Sequence, residues 1–274
     1  MAEHLRIINP PQPRRASGLV LTETATNILR SVKLVADEPG TLTMVAGIPG
    51  VGKSETLVRY VQNNPEAIKM DIVADEGKVW DLAAAFMELF DMGTPNNRRM
   101  REERQRITEA IGADRVVIFD EAQYLANYNP RGGFNFDAYE WVRAMAEEGS
   151  FSVVFCGDLS LADTIGSVPL LRRRMVRPVV IRSVPKGDVV TFAEARGVTD
   201  ATITDALAAV AKRHGGLADV KRTLDHAAKR AGDRRISAAD GKAALQYLGL
   251  SIPGGRQCRT RPKPKPHCLN RFWH

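Results

Sequence analysis

Two stretches carry residue types whose spacing could do chemistry together. The first is Gly47–Ser54, GIPGVGKS, which fits the pattern G-x-x-x-x-G-K-[ST] at every fixed position. Gly47, Gly50 and Gly52 let the backbone wrap closely and aim N–H groups at phosphate oxygens. The helix expected after the loop turns its positive end to the same anion. Lys53 would neutralise the β- and γ-phosphates, and the Ser54 hydroxyl would ligate Mg²⁺. The predicted nucleotide-binding residues are Gly47, Ile48, Pro49, Gly50, Val51, Gly52, Lys53, Ser54 and Glu55. The second stretch is Val116–Glu121, VVIFDE, a β-prone run that ends in two carboxylates. Asp120 at its end is placed to hold Mg²⁺ through water, and Glu121 to polarise a water for in-line attack on the γ-phosphate. The predicted cofactors are ATP and Mg²⁺.

This chemistry needs a scaffold that brings residues 47–55 and 120–121 to one edge. The apolar run 42–46 reads as a buried strand entering the loop, and 55–63 as the helix leaving it. Residues 67–74 (AIKMDIVA) read as a second strand and 80–90 as an apolar helix, with room for another helix before 116. Residues 151–156 (FSVVFC) form a fourth strand and 178–181 a short fifth. Asp158, just beyond the fourth strand, is the candidate γ-phosphate sensor; it also suits a helix N-cap. Before the first strand, 22–36 has helical apolar spacing with Thr22 or Thr24 as N-cap. From residue 185 on, the pattern is helical only, with segments 187–195, 200–214, 217–231 and 237–248 separated by glycines. The expected fold is α/β, a five-stranded parallel sheet flanked by helices, with a small all-helical lid. The expected divisions are an irregular segment 1–21, an α/β domain 22–184, a helical lid 185–250 and a basic tail 251–274.

The chain of 274 residues is 44% apolar and 26% charged, as in ordinary globular proteins. No stretch is apolar and long enough to span a bilayer, and the first fifteen residues lack an apolar signal segment. The expected location is the cytoplasm of a bacterial or phage-infected cell, with no membrane partner. Three scattered cysteines do not make a disulfide framework, and Cys258, His267, Cys268 and His274 have no zinc spacing. Six of the seven net positive charges fall in Arg256–His274, which holds no acid. That tail suits a polyanion or a solvated end.

Arginines also cluster within the body. Arg98 and Arg99 open the helix before 116 and are candidates for DNA phosphate contact; interleaved Glu102 and Glu103 suit a solvated, ion-paired helix face equally well. Arg131 is placed at the tip of an exposed loop, 128–136. Arg172, Arg173, Arg174 and Arg177 precede the fifth strand, where an arginine can reach a phosphate held by a neighbouring subunit.

Phosphate loop, D-E strand, polar strand end, arginine box and helical lid, in that order, resemble an AAA+ ATPase. The stretches GIPGVGKSET, VVIFDEAQYL, FCGDLSL, LLRRRMVRPVVI and GGLADVKRTLDHAAKRA resemble the DNA-transposition branch typified by phage Mu B, over about Thr22 to Leu248. That resemblance implies binding of ATP and Mg²⁺, self-assembly into a ring or helical filament on double-stranded DNA, recruitment of a transposase, and release on hydrolysis. It assigns Lys53 and Ser54 to phosphate and Mg²⁺, Asp120 and Glu121 to Mg²⁺ and water, Asp158 to sensing and Arg174 to action in trans. The chain departs from the branch in two places. Ala218 follows Gly215–Gly216–Leu217 where members often carry an arginine, leaving Lys221 or Arg222 to substitute. Residues 1–21 are also too short to fold as the additional N-terminal DNA-binding module of the phage protein. Two other readings share the core: a helicase loader or replication initiator, and a nucleotide-gated DNA-binding adaptor with little turnover.

Overall fold

The computed structural model describes residues 19–129, 133–213 and 215–250. Helix α1 (Glu23–Ala36) leads into strand β1 (Leu42–Gly47), and helix α2 (Lys53–Asn63) follows the phosphate loop. Strand β2 (Ile68–Asp71), helix α3 (Val79–Leu89), a 3₁₀ turn at Asn97–Arg99 and helix α4 (Met100–Ile111) come next. Strand β3 (Val116–Asp120) ends in a 3₁₀ turn, Ala122–Leu125, and a small hairpin of β4 (Asn127–Asn129) and β5 (Gly133–Asn135). Helix α5 (Asp137–Gly149), strand β6 (Ser152–Gly157), helices α6 (Ser160–Ser167) and α7 (Pro169–Arg174) and strand β7 (Val179–Ile181) complete this part. Four helices remain: α8 (Lys186–Glu194), α9 (Ala201–Arg213), α10 (Gly216–Ala231) and α11 (Ala238–Tyr247).

The main sheet has five parallel strands in the order β2–β3–β6–β1–β7. Parallel neighbours need crossover connections, and helices supply them here. Both faces of the sheet are therefore covered, and the strands read as continuous apolar runs. Alternate side chains go to opposite cores. Met44, Phe119 and Phe155 pack with α3, α4 and α5, while Val45, Ile118, Val154 and Cys156 pack with α1 and α2. Phe119 and Phe155 stack at 5.8 Å. All of β1, β3 and β6 is buried, so their carboxyl ends lie side by side at one edge. Ligands of open α/β sheets bind at that edge.

Helices α8 to α10 bury a separate cluster that includes Val189, Leu207, Val220 and Leu224. This lid is fastened to the sheet domain at its first helix. Buried Asp188 of α8 accepts from Glu23 N at 2.9 Å and Thr24 N at 3.3 Å, satisfying free N–H groups at the start of α1. Thr22 is the α1 N-cap, its hydroxyl accepting from Ala25 N at 3.1 Å.

Two local readings differ from the sequence expectation. Residues 128–136 hold antiparallel pairing, Tyr128 opposite Phe134, rather than only an exposed loop. Two short helices, α6 and α7, fill the segment between Asp158 and β7, so Arg172, Arg173 and Arg174 sit on a helix. Pro169 starts α7, where its missing N–H costs nothing. The segments 1–18 and 251–274, which include the basic tail with Cys258, His267, Cys268 and His274, lie outside the described residues. Among the described residues, no helix is long and apolar enough to cross a membrane.

Candidate nucleotide site

The loop between β1 and α2 is shaped by backbone. Gly50 and Gly52 sit at φ 75° and 93°, where residues with a Cβ are strained. Ile48 N donates to Ile181 O at 3.0 Å, tying the loop to β7. The Lys53 ammonium donates to Gly47 O at 2.8 Å and Ile48 O at 3.1 Å, so it rests across the loop on the loop's own carbonyls. Phosphate oxygens are stronger acceptors for the same donors.

Gly50 also meets the lid. A Cβ there would stand 1.9 Å from Gly215 O, and Ala218 N donates to Gly50 O at 3.2 Å. The loop and the amino end of α10 therefore touch backbone to backbone. Between them opens a cavity of about 430 Å³. Its floor includes Gly52, Lys53, Ser54 and Glu55, with Glu121 to the side; Phe192, Arg196, Leu217 and Lys221 form the lid wall. Leu19, Val20 and Ala25 complete an apolar part.

Asp120 lies beneath the loop, 4% exposed, near enough to Ser54 for the hydroxyl to help stabilise its charge. The Lys69 ammonium on β2 is 3.0 Å from its Oδ2 and also pairs with Asp71. Burial acts to raise the Asp120 carboxyl, but Lys69 and hydrogen bonds from Cys156, Lys69 and Ser54 prevail and hold it below its ordinary value. Burial likewise acts to lower Lys69, and its two aspartates keep it raised. Burial, with Asp120 adding to it, pushes the Cys156 thiol well up, so that thiol is a proton donor and not a nucleophile.

The donor set suits Mg²⁺. One hydroxyl and one ionised carboxylate are hard oxygen ligands, and Mg²⁺ takes the rest of its shell from phosphates and water. No group of three or more His, Cys, Asp or Glu that could hold a metal occurs among the described residues.

Glu121 has left-handed backbone, φ 54°. Its Oε2 accepts from Gln123 Nε2 at 2.6 Å, and Gln123 Oε1 accepts from Asp158 N at 3.3 Å. One amide thus bridges the ends of β3 and β6. The Asp158 carboxylate accepts from Ser160 N at 2.8 Å and Ser160 Oγ at 2.5 Å, a turn one residue ahead of the α6 N-cap, Leu159, rather than the N-cap that sequence allows for it. Of the predicted site residues, the structure brings Pro49, Gly50, Val51, Gly52, Lys53, Ser54, Glu55 and Glu121 to one cavity, with Asp120 beside Ser54. Arg174 does not line that cavity; it is exposed and pairs with Glu147 at 2.8 Å. Arg98 and Arg99 are exposed in the 3₁₀ turn before α4, with Arg99 paired to Glu102 at 3.3 Å. Arg131 lies outside the described residues.

Sequence reasoning missed Lys69, Gln123, Phe192 and Arg196. A lysine inside the apolar run AIKMDIVA was a usable signal, because buried lysines are nearly always paired. Lys221, one of two possible substitutes for the lid arginine, lines the cavity. Arg222 does not: it pairs with Asp219 at 3.0 Å.

A phosphate loop at the edge of a parallel sheet of this strand order, faced by a helical C-terminal region, is an AAA-type P-loop fold. Residues 36–165 match the family model of an AAA domain, and residues 173–248 match the C-terminal model of the Mu B transposition protein. The two matches give the chain an AAA-type P-loop domain followed by a Mu B-like C-terminal segment. No curated protein matches it significantly. Among solved structures it is similar to the Aeropyrum pernix ORC2 protein in ADPNP–ADP complexes, at 15% identity and TM-score 0.56, covering 92% of this chain and 72% of that one. It is also similar to the Aeropyrum pernix ORC1 protein in complex with DNA, at 16% and 0.56, covering 83% and 66%. Domain III of the Thermotoga maritima replication initiation protein DnaA follows at 14% and 0.54, covering 87% and 98%. At such identities these likenesses establish the fold alone.

Proposed function

We propose that this chain is an ATP-dependent DNA-binding ATPase of transposition, which assembles on double-stranded target DNA in the cytoplasm and recruits or activates a transposase. One observation carries the reading: the Mu B-like segment is the part of the chain that closes the nucleotide cavity, through Gly215, Leu217, Ala218 and Lys221. Nucleotide occupancy and the transposition-type region therefore meet at one contact. The working parts are an ATPase core, 22–184, and a lid, 185–250.

In this reading Lys53 leaves the carbonyls of Gly47 and Ile48 to bind phosphate, and the N–H groups of the loop hold the same anion. Ser54 and Asp120 are the side chains that hold Mg²⁺, which supplies charge neutralisation at the β- and γ-phosphates. Glu121 orients and deprotonates the attacking water once Gln123 releases it. Asp158 reports the γ-phosphate through the same Gln123 amide. Arg174 exchanges Glu147 for the γ-phosphate of a neighbouring copy, so that ATP joins protomers. Arg98 and Arg99, with Arg131, face the duplex, and repetition along the assembly turns weak phosphate contacts into tight, salt-dependent binding.

The deciding experiment is negative-stain imaging with double-stranded DNA, with and without a non-hydrolysable ATP analogue. Assemblies on DNA that require the analogue are expected; a protein that stays monomeric and ignores the duplex under both conditions would end the reading. A pull-down of transposase against replicative helicase distinguishes it from a helicase loader.

A further inference from the structure

A buried cation beside the site takes no part in the phosphate chemistry above. Lys69 lies inside β2, its side chain 3% exposed, and bonds two carboxylates. Its ammonium is 3.0 Å from Asp120 Oδ2 and also pairs with Asp71. Asp71 stands opposite Asp120 in the parallel register of β2 and β3, and Lys69 opposite Ile118. Residues two apart on a strand face the same way, so Lys69, Asp71 and Asp120 share one face of the sheet. Ile118 marks that face as the one packed under α1 and α2, and the first turn of α2 carries Lys53 and Ser54. Asp120 Oδ1 accepts from Glu121 N at 3.2 Å. The two oxygens of this carboxylate therefore have separate partners, and its plane is fixed.

Two carboxylates in register on neighbouring strands repel each other, and a cation between them removes that cost. A divalent ion could serve, since carboxylate oxygens are its ordinary ligands. Lys69 supplies the charge from within the chain instead. The buried members, Lys69 and Asp120, sum to zero. The remaining charge sits on Asp71, which is 34% exposed and screened by water. A neutral pair has little pull on a free metal ion, whereas a triphosphate brings negative charge of its own. We propose that Lys69 is a resident cation that makes metal binding depend on nucleotide: it fills the space between Asp71 and Asp120, so that a divalent ion is held only when the phosphates arrive with it. The inference rests on the reading that Ser54 and Asp120 hold Mg²⁺, and deepens it. Lys69 is then a positioning residue, acting through Asp120.

The test measures two affinities on the full chain. One is for Mn²⁺, which shares the preference of Mg²⁺ for carboxylate oxygens, followed by the paramagnetic resonance of the free ion with and without a non-hydrolysable ATP analogue. The other is for ATP in EDTA, free of metal. Lys69→Met keeps the length of the side chain and removes its charge. It is expected to bind Mn²⁺ without nucleotide about tenfold or more tighter than the wild type, and metal-free ATP about threefold or more weaker. Asp71→Asn shifts the balance the other way: Mn²⁺ with the analogue about threefold weaker, metal-free ATP about twofold tighter. Opposite signs for the two ligands mark a charge effect, because a packing role lowers both affinities together. Loss of both affinities in either variant would overturn the inference, as would unchanged Mn²⁺ affinity. Should Lys69→Met fail to fold by circular dichroism, Asp71→Asn, at the end of an edge strand, decides alone by the same pair of signs. A wild-type chain that binds the analogue without taking up Mn²⁺ overturns the metal reading itself.

Discussion

The phosphate loop and the lid wall face each other across one cavity, yet they hold it by different means. The loop works through backbone: two glycines at positive φ and a single lysine bedded on loop carbonyls. The lid works through side chains: Phe192, Arg196, Leu217 and Lys221, brought in by two segments, α8 with the turn after it and α10. Backbone geometry is set within eight consecutive residues and is rigid. Side-chain geometry depends on how the lid packs and can change with ligand. The loop is therefore the invariant half of the site and the lid the adjustable half.

Substitutions can break or sharpen that contrast. Lys53→Ala removes the one side chain on which the loop depends, and a nucleotide affinity lower by about a hundredfold is expected, in line with losing charge-assisted contacts; ATP-stimulated DNA binding should vanish with it. Retained stimulation would show that the lid alone suffices. Glu121→Gln is expected to lower turnover by about a hundredfold or more while nucleotide binding persists, giving assemblies on DNA that do not release; normal turnover in an ATPase assay would remove Glu121 from its role. Lys221→Ala should cost about tenfold in turnover or nucleotide affinity, and Arg222→Ala under about twofold, because the Arg222 side chain is itself exposed and buried Asp219 keeps its bond from Gly215 N. The reverse order would mean that the lid rotates on binding and exchanges the two cations. Smallest in absolute terms, Arg98→Ala with Arg99→Ala is expected to weaken DNA binding several-fold and lower the salt slope by about two, with ATP affinity intact. Unchanged DNA affinity would return these arginines to a solvated helix face.

The same contrast explains what could be read from sequence. The loop, the five strands and the lid helices were legible because each is a local pattern of period, glycine punctuation or motif. The Asp120 end of β3 was legible through its position after the loop. Lys69 was overlooked because its partner, Asp120, lies on the neighbouring strand about fifty residues away, and pairing across a parallel sheet has no local signature. Gln123 reads as an ordinary polar residue until the turn at Ala122–Leu125 sets its amide between Glu121 and Asp158. Phe192 near the end of α8 and Arg196 in the turn after it are four residues apart, but only the folded lid decides what the two look upon. The α6–α7 segment was hidden by Gly166 and Pro169, which mark breaks and so obscure two helices of eight and six residues.

Asp188 seizes the first turn of α1 a few residues after the chain leaves β7, so the anchor and the covalent connection act as one pivot. The Gly50–Ala218 bond is a second fastening, made on the phosphate loop. A body held at a pivot and a latch swings like a gate when the latch opens. Anything that reshapes the glycine turn at residue 50 would be converted into angular travel of α10 and α11, whose far ends move the most.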